Sequence, residues 1–116
     1  MIELIKRGDI VYLKDSVGSP LNSRPFLIVS NDVGNHFANI CLGVPLTTKH
    51  KKVSQPTHCI IGFNGSMVLT EQIYTINKDE INRVIGRIDE EDMKRVDACL
   101  KVSLALSGGN RYEITS

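Results

Sequence analysis

The chain lacks a metal-ligand pattern, a membrane-length apolar run, a phosphate-binding glycine loop and any surplus of charge, and each absence removes a class of function. His36, His50 and His58 share no ligand spacing, and Cys41, Cys59 and Cys99 stand far apart with no CxxC, so no metal site is written here. An odd count of three cysteines, each in an apolar setting, fits buried reduced thiols and not a disulfide framework. No glycine pattern offers backbone donors to a nucleotide, and no nucleophile elbow signals a hydrolase. The stretch Met1-Ile2-Glu3-Leu4-Ile5 is too short and acidic for a signal-peptide core, which predicts a cytoplasmic protein with no membrane partner. A net charge of +1 excludes a uniformly basic coat for nucleic acid but leaves room for a local patch that holds a short single strand.

What is present is an ordinary globular composition, 41% hydrophobic and 23% charged over 116 residues, which predicts one domain over 1–116 with 107–116 as a loose tail. There is no internal repeat and no low-complexity segment. The chain is organised around Arg24-Pro25-Phe26-Leu27-Ile28-Val29-Ser30-Asn31-Asp32. Its five consecutive apolar residues predict a central strand, opened by a proline that cannot donate to a sheet ladder. Proline also disfavours a helical Arg24, so that guanidinium is held where a loop meets the sheet, suited to grip a phosphate or carboxylate. An arginine paired with a rim acid is the plainer alternative, and both stay open.

Ahead of this strand, Lys6-Arg7-Gly8-Asp9 reads as a turn and Ile10-Val11-Tyr12-Leu13 as strand one, followed by a polar loop from Lys14 to Ser23. After it, Asn31 to Asn35 reads as a turn and Phe37 to Leu46 as strand three. Gly43 and Pro45 bend its end so that Thr47 and Thr48 leave the sheet. Lys49-His50-Lys51-Lys52 is a basic loop. Thr57 to Ile61, Ser66 to Leu69 and Thr70 to Ile76 continue as a meander. Asn77 is expected to cap a short helix carrying Ile81, Val84 and Ile85 and ending at Gly86. The last helix begins at Asp89, buries Met93, Val96, Leu100 and Leu104 along one face, and is expected to stop at Gly108-Gly109.

These placements gather functional groups at strand ends: Arg24 entering strand two, Thr47 and Thr48 leaving strand three, His58 and Glu71 within later strands. An arginine and a hydroxyl donating toward one point would stabilise a developing oxyanion such as a phosphorane. Each has a quieter explanation. Thr47 can cap a turn, His58 can fill a cross-strand position, and Glu71 can pair with a nearby cation.

The ordered segments "RGDIVYL", "VGS", "RPFLIVSND", "VPLT", "PTH", "LTEQIYTI", "IGRIDEEDMKRVD" and "LKVSLAL" resemble the MazF/PemK/Kid family of toxin endoribonucleases across residues 7 to 106. The resemblance implies a mainly β fold, a small curved antiparallel sheet that is barrel-like, with short helices and a C-terminal helix, assembled as a homodimer. It implies metal-independent, cofactor-free cleavage of single-stranded RNA by 2′-hydroxyl attack, leaving a cyclic phosphate and a 5′-hydroxyl. Carried over by motif, Arg24 of "RP" and Thr47 of "PLT" are the catalytic pair. Ser19 of "VGS", His58 of "PTH", Glu71 and Gln72 of "EQ", and the neighbouring Thr48, Lys49, Lys51 and Lys52 line the RNA groove. A cognate antitoxin with an acidic disordered segment would occupy that groove, and DNA would be met only through the antitoxin.

The chain departs from the family pattern in two places. The loop from Val17 to Arg24 is shorter than the usual "VGSEQGGxRP" and lacks its Glu-Gln pair, which bears on base recognition. Tyr74 stands where arginine is common in "EQIRTI", and Leu69 replaces the Kid branch's catalytic arginine, so the pairing follows the MazF branch. Two other classes compete: a protein-binding toxin of CcdB-like architecture that poisons gyrase, and an inactive homologue that only binds antitoxin.

Overall fold

A computed structural model of the chain describes residues 4–14, 24–49 and 55–106. The order of elements is β1 (Asp9–Leu13), β2 (Pro25–Ile28), α1 (Asp32–Phe37), β3 (Ile40–Thr47), β4 (His58–Ile60), β5 (Met67–Leu69), β6 (Tyr74–Asn77), β7 (Ile81–Arg87) and α2 (Glu90–Ser103). The strands form one antiparallel network in the order β4-β5-β3-β2-β1-β7, with β6 also on β3. This is the mainly β, curved sheet with a C-terminal helix that the sequence implied.

The apolar run of β2 is explained by its position, because it lies between β1 and β3 and is buried on both faces. Side chains alternate across a strand. Leu27 therefore joins Ile10, Val44, Leu46, Val68, Val96 and Leu100 under α2, while Phe26 and Ile28 join Val11, Leu13, Cys41, Ile76 and Ile81 on the opposite face. The register Ile10↔Leu27↔Val44 aligns the first set, and Val11↔Phe26 begins the second.

Strand β3 is the longest and changes partner along one edge. Residues 40–43 pair with β6, and Leu46 and Thr47 pair with β5. The change falls at Val44-Pro45, close to the expected bend, although β3 itself runs unbroken to Thr47. Gly43 sits where there is no room for a side chain: a Cβ there would lie 2.6 Å from Ile76 Cδ1 and 3.4 Å from Phe26 Cβ. Nearby, the Phe26 and Tyr74 rings meet edge to face at 5.5 Å.

Three expectations are corrected. Residues 81–87 are strand β7, not a helix ending at Gly86; Asn77 does act as a cap, but for the single 3₁₀ turn Lys78–Glu80, where its side chain accepts from the Asp79 N–H. The β-branched Ile81, Val84 and Ile85 favour extension, and β1 supplies the ladder, Val11 facing Val84 and Leu13 facing Ile81. Residues 32–37 are the short helix α1, capped by Asn31, whose side chain accepts from Gly34 N–H, and Phe37 is 78% exposed at its end instead of opening strand three. Helix α2 begins after Asp89 as expected, its side chain accepting from Asp92 N–H at 2.8 Å, but ends at Ser103. Ala105 takes the left-handed conformation (φ 55°) that closes it, so Leu104 is exposed and not the last residue of the buried stripe. The expected glycine stop and the tail 107–116 lie outside the described residues.

Candidate functional site

Arg24 stands half-buried directly before Pro25, at the head of β2. The β2–β3 ladder pairs Phe26 with Pro45, Leu27 with Val44 and Ile28 with Gly43. Continued two residues beyond Phe26 and Pro45, that register sets Arg24 across from Thr47. Side-chain phase adds a second constraint. Leu27, Val44 and Leu46 face α2, so Phe26, Pro45 and Thr47 face the other way, and Arg24 continues the phase of Phe26. The arginine and the threonine thus share one face and one end of two neighbouring strands, where paired residues lie about 5 Å apart at Cα.

The Thr47 hydroxyl accepts from Lys49 N–H at 3.1 Å and lies 3.4 Å from the Lys49 carbonyl oxygen, to which it donates. It closes the turn that carries the exposed Thr48 and Lys49 out of the sheet. The capping role is therefore real, and the hydroxyl is fixed at the mouth of the strands by it.

His58 and Glu71, distant in sequence, are brought together. β4 pairs with β5 in the register His58↔Leu69 and Cys59↔Val68, and the turn after β5 returns Glu71 to the His58 ring. His58 Nε2 lies 2.7 Å from Glu71 Oε2, with the imidazole side chain 3% exposed and the carboxylate 36% exposed. Burial pushes the Glu71 carboxyl up, but hydrogen bonds from His58, its own backbone and Thr57, with the charge of His58, outweigh it and hold it below the usual carboxylate range. Cys59 packs against the cluster under α2, so His58 takes the opposite face, the one shared by Arg24 and Thr47. Thr47 and His58 sit two strands and two residues apart, on the order of 12 Å by strand spacing and rise. They can meet different parts of one extended ligand.

Gln72 is half-buried beside them and its side-chain oxygen accepts from the Tyr74 hydroxyl at 3.3 Å. Tyr74 in turn packs on Phe26, so the residue that replaces the family's usual arginine joins the site to the core. Ser19, Lys51 and Lys52 lie outside the described residues, as does most of the loop before Arg24. Thr57 and Thr70 carry no sequence signal, yet they fix the His58–Glu71 corner. Thr70 N–H and Oγ1 both donate to the Thr57 carbonyl, at 3.1 and 2.6 Å, and Gln55 donates to Thr57 Oγ1 at 3.0 Å. Among the described residues, no group of three or more His, Cys, Asp or Glu side chains gathers as around a metal ion. Nor is any described helix long and apolar enough to cross a membrane.

Four likenesses bear on this arrangement. Residues 6–104 match the family of PemK-like, MazF-like toxins of type II toxin–antitoxin systems. Endoribonuclease EndoA of Bacillus subtilis (strain 168) is 38% identical over 112 residues, covering 89% of this chain and 97% of that protein. Two solved structures superpose closely. An endoribonuclease from a mycobacterial species has a TM-score of 0.77 at 25% identity, covering 91% of this chain and 96% of its own. A mycobacterial endoribonuclease in complex with its cognate antitoxin has a TM-score of 0.73 at 26% identity, covering 90% and 97%. With a family match over nearly its whole length and a relative of this identity and coverage, the chain belongs to the PemK-like, MazF-like toxin family of type II toxin–antitoxin systems.

Proposed function

We propose that the protein is a cytoplasmic endoribonuclease toxin that cuts single-stranded RNA at short sequences, without metal, and is silenced by a cognate antitoxin. The observation that carries this reading is the register that sets Arg24 across from Thr47 on one face of β2 and β3. In the reaction the 2′-oxygen attacks phosphorus as the bond to the 5′-oxygen breaks. The products are a 2′,3′-cyclic phosphate and a 5′-hydroxyl. Negative charge builds on the non-bridging oxygens, where the Arg24 guanidinium supplies paired, charge-assisted donors and the Thr47 hydroxyl a third. The guanidinium stays protonated and so has no lone pair to take the proton of the 2′-hydroxyl; its role is charge stabilisation. His58, Glu71, Gln72, Thr48 and Lys49, with Ser19, Lys51 and Lys52, hold the flanking nucleotides.

The relative solved with its cognate antitoxin supports the inhibitory partner. Such a segment, acidic and disordered when free, would occupy the phosphate positions and exclude RNA. A homodimer is supported by an apolar surface: Leu4, Phe37 and Val84 are exposed and line one cleft with Lys14, Lys78 and Arg83. Free thiols at Cys41, Cys59 and Cys99 fit the cytoplasm.

The reading is tested by incubating purified protein with a long single-stranded RNA in excess chelator. Discrete cleavage products are expected, and their loss on adding antitoxin. Intact RNA would favour a toxin that binds a protein target or an inactive antitoxin-binding homologue.

A further inference from the structure

We propose that the Glu71 carboxylate reads one base of the RNA by accepting its amino hydrogens, so that cleavage favours adenine, cytosine or guanine at that position and rejects uracil. The role presupposes the RNA-cutting function proposed above. The carboxylate stands at the corner made by β4 and the turn after β5, with its Oε2 2.7 Å from His58 Nε2. It is 36% exposed, while the imidazole side chain is 3% exposed. His58 therefore backs the carboxylate from inside, on the face shared by Arg24 and Thr47, and the rest of the carboxylate meets solvent. The separation of His58 from Thr47, on the order of 12 Å, spans about two to four nucleotides, the larger count being for bases stacked at about 3.4 Å.

A negative charge is out of place in a groove for a polyanion unless it meets hydrogen-bond donors. Glu71 is held below the usual carboxylate range, so at neutral pH it is ionised and can only accept. Its two oxygens offer about four lone-pair sites, and the contact to His58 takes one. Phosphate oxygens are turned away by like charge. The ribose 2′-hydroxyl can donate, but every nucleotide carries it and it gives no base preference. The donors that differ between nucleotides are the amino groups of adenine, cytosine and guanine. Uracil has one ring N–H between two carbonyl oxygens, and those oxygens would face the carboxylate with the wrong charge.

Discrimination by one carboxylate requires that it cannot turn away, and the corner is built to hold it. Thr57 directly precedes His58 and Thr70 directly precedes Glu71, and both threonines are buried. Thr70 N–H and Oγ1 donate to the Thr57 carbonyl at 3.1 and 2.6 Å, and Thr70 Oγ1 also lies 3.1 Å from Ser103 Oγ at the end of α2. Each member of the His58–Glu71 pair is thus fixed one residue upstream, and α2 anchors the clamp. Little ordering of this corner is left to be done when RNA arrives, which keeps the preference from being spent on rearrangement.

The test is cleavage of a randomised single-stranded RNA library by purified full-length protein in excess chelator, with the cut ends sequenced. In wild type, one position about two to four nucleotides from the cut should deplete uracil at least about fivefold against an amino-bearing base. In the best substrate, exchanging that base for its analogue without the amino group (purine riboside for adenine, 2-pyrimidinone for cytosine, inosine for guanine) should slow cleavage by at least about fivefold. Glu71→Gln keeps the length, loses the charge and gains a donor for a uracil oxygen, so uracil depletion should fall below about twofold. Uracil cut as well as the other bases at every position, no cost of the analogue, or a depletion that Glu71→Gln leaves unchanged would overturn the proposal while cleavage itself persists. The wild-type profile and the analogue decide the matter even if Glu71→Gln folds poorly. No cleavage of any library member would sink the endoribonuclease reading instead; anisotropy with short 2′-deoxy strands would then judge Glu71 alone, equal affinity with and without amino groups counting against it.

Discussion

Truncating Arg24 removes charge-assisted donors from the head of β2 while touching little of the fold. Arg24 precedes the ladder, is half-buried, and leaves Pro25 and the buried Phe26-Leu27-Ile28 run in place. Loss of one oxyanion donor costs about 10²–10³ in rate, or about 2.7–4 kcal/mol. Substitution outside the packed core costs about 0.5 kcal/mol of stability. Arg24→Ala should therefore cut at least about a hundredfold more slowly with an unchanged circular dichroism spectrum. Thr47→Val keeps the β-branched shape and removes a neutral donor, for which about tenfold, or about 1.4 kcal/mol, is expected. The hydrogen bond from Lys49 N–H that this variant gives up is at the surface, where water replaces it. Because the register sets both groups across from one another, they should act on one phosphorane as a unit. The double variant should then be little worse than Arg24→Ala alone. Single-turnover cleavage gives the rates, and anisotropy with a 2′-deoxy, uncleavable strand gives binding, which should fall far less than rate. Arg24→Ala cutting at near wild-type speed, or fully multiplicative losses in the double variant, would refute the shared role.

Other consequences are as concrete. The lowered Glu71 carboxyl makes the unfolded chain the stronger proton binder, so its contribution is complete above the ordinary carboxylate value of 4.5 and fades as pH falls through the lowered folded value. Urea midpoints measured down that range should drop less steeply in Glu71→Gln than in wild type; equal slopes would mean that the His58 contact is not felt. Phe26, fully buried at 0% exposure and packed on Tyr74, should cost about 3–5 kcal/mol on truncation to alanine, a large part of a domain's stability, read from the denaturation midpoint. If Lys51 and Lys52 grip phosphates, their joint neutralisation should flatten the log–log salt dependence of RNA binding by roughly 0.7 for each phosphate no longer neutralised, and an unchanged slope would place the basic patch elsewhere.

How much of the fold is legible in the sequence depends on the kind of signal. The unbroken Phe26-Leu27-Ile28 run and the Asp89 cap are local, and both stand where expected. β7 reads as a helix because its periodicity is blurred. Register slips against β1, between Ile10 and Val11 and again between Tyr12 and Leu13, break the two-residue alternation, leaving Ile81, Val84 and Ile85 at helical spacing. α1 has no apolar stripe to announce it, since Val33 and Phe37 both face solvent. At the candidate site the residue types are readable but their companionship is not. Glu71 meets His58 only through the β4–β5 register and the turn beyond it, and Arg24 is aligned with Thr47 only when the β2–β3 register is continued past Phe26 and Pro45. Thr57 and Thr70, whose backbone and hydroxyl contacts hold that corner, look in sequence like any strand-end threonines.

The most direct test of the central claim is the identity of the ends left on a short single-stranded RNA after incubation with purified protein in excess chelator. Cleavage at discrete positions is expected, with the 5′ fragment carrying a 2′,3′-cyclic phosphate by mass and the 3′ fragment a 5′-hydroxyl. None is expected at a position made 2′-deoxy. Cleavage that needs added magnesium, leaves a 5′-phosphate, or survives removal of the 2′-hydroxyl would contradict the claim.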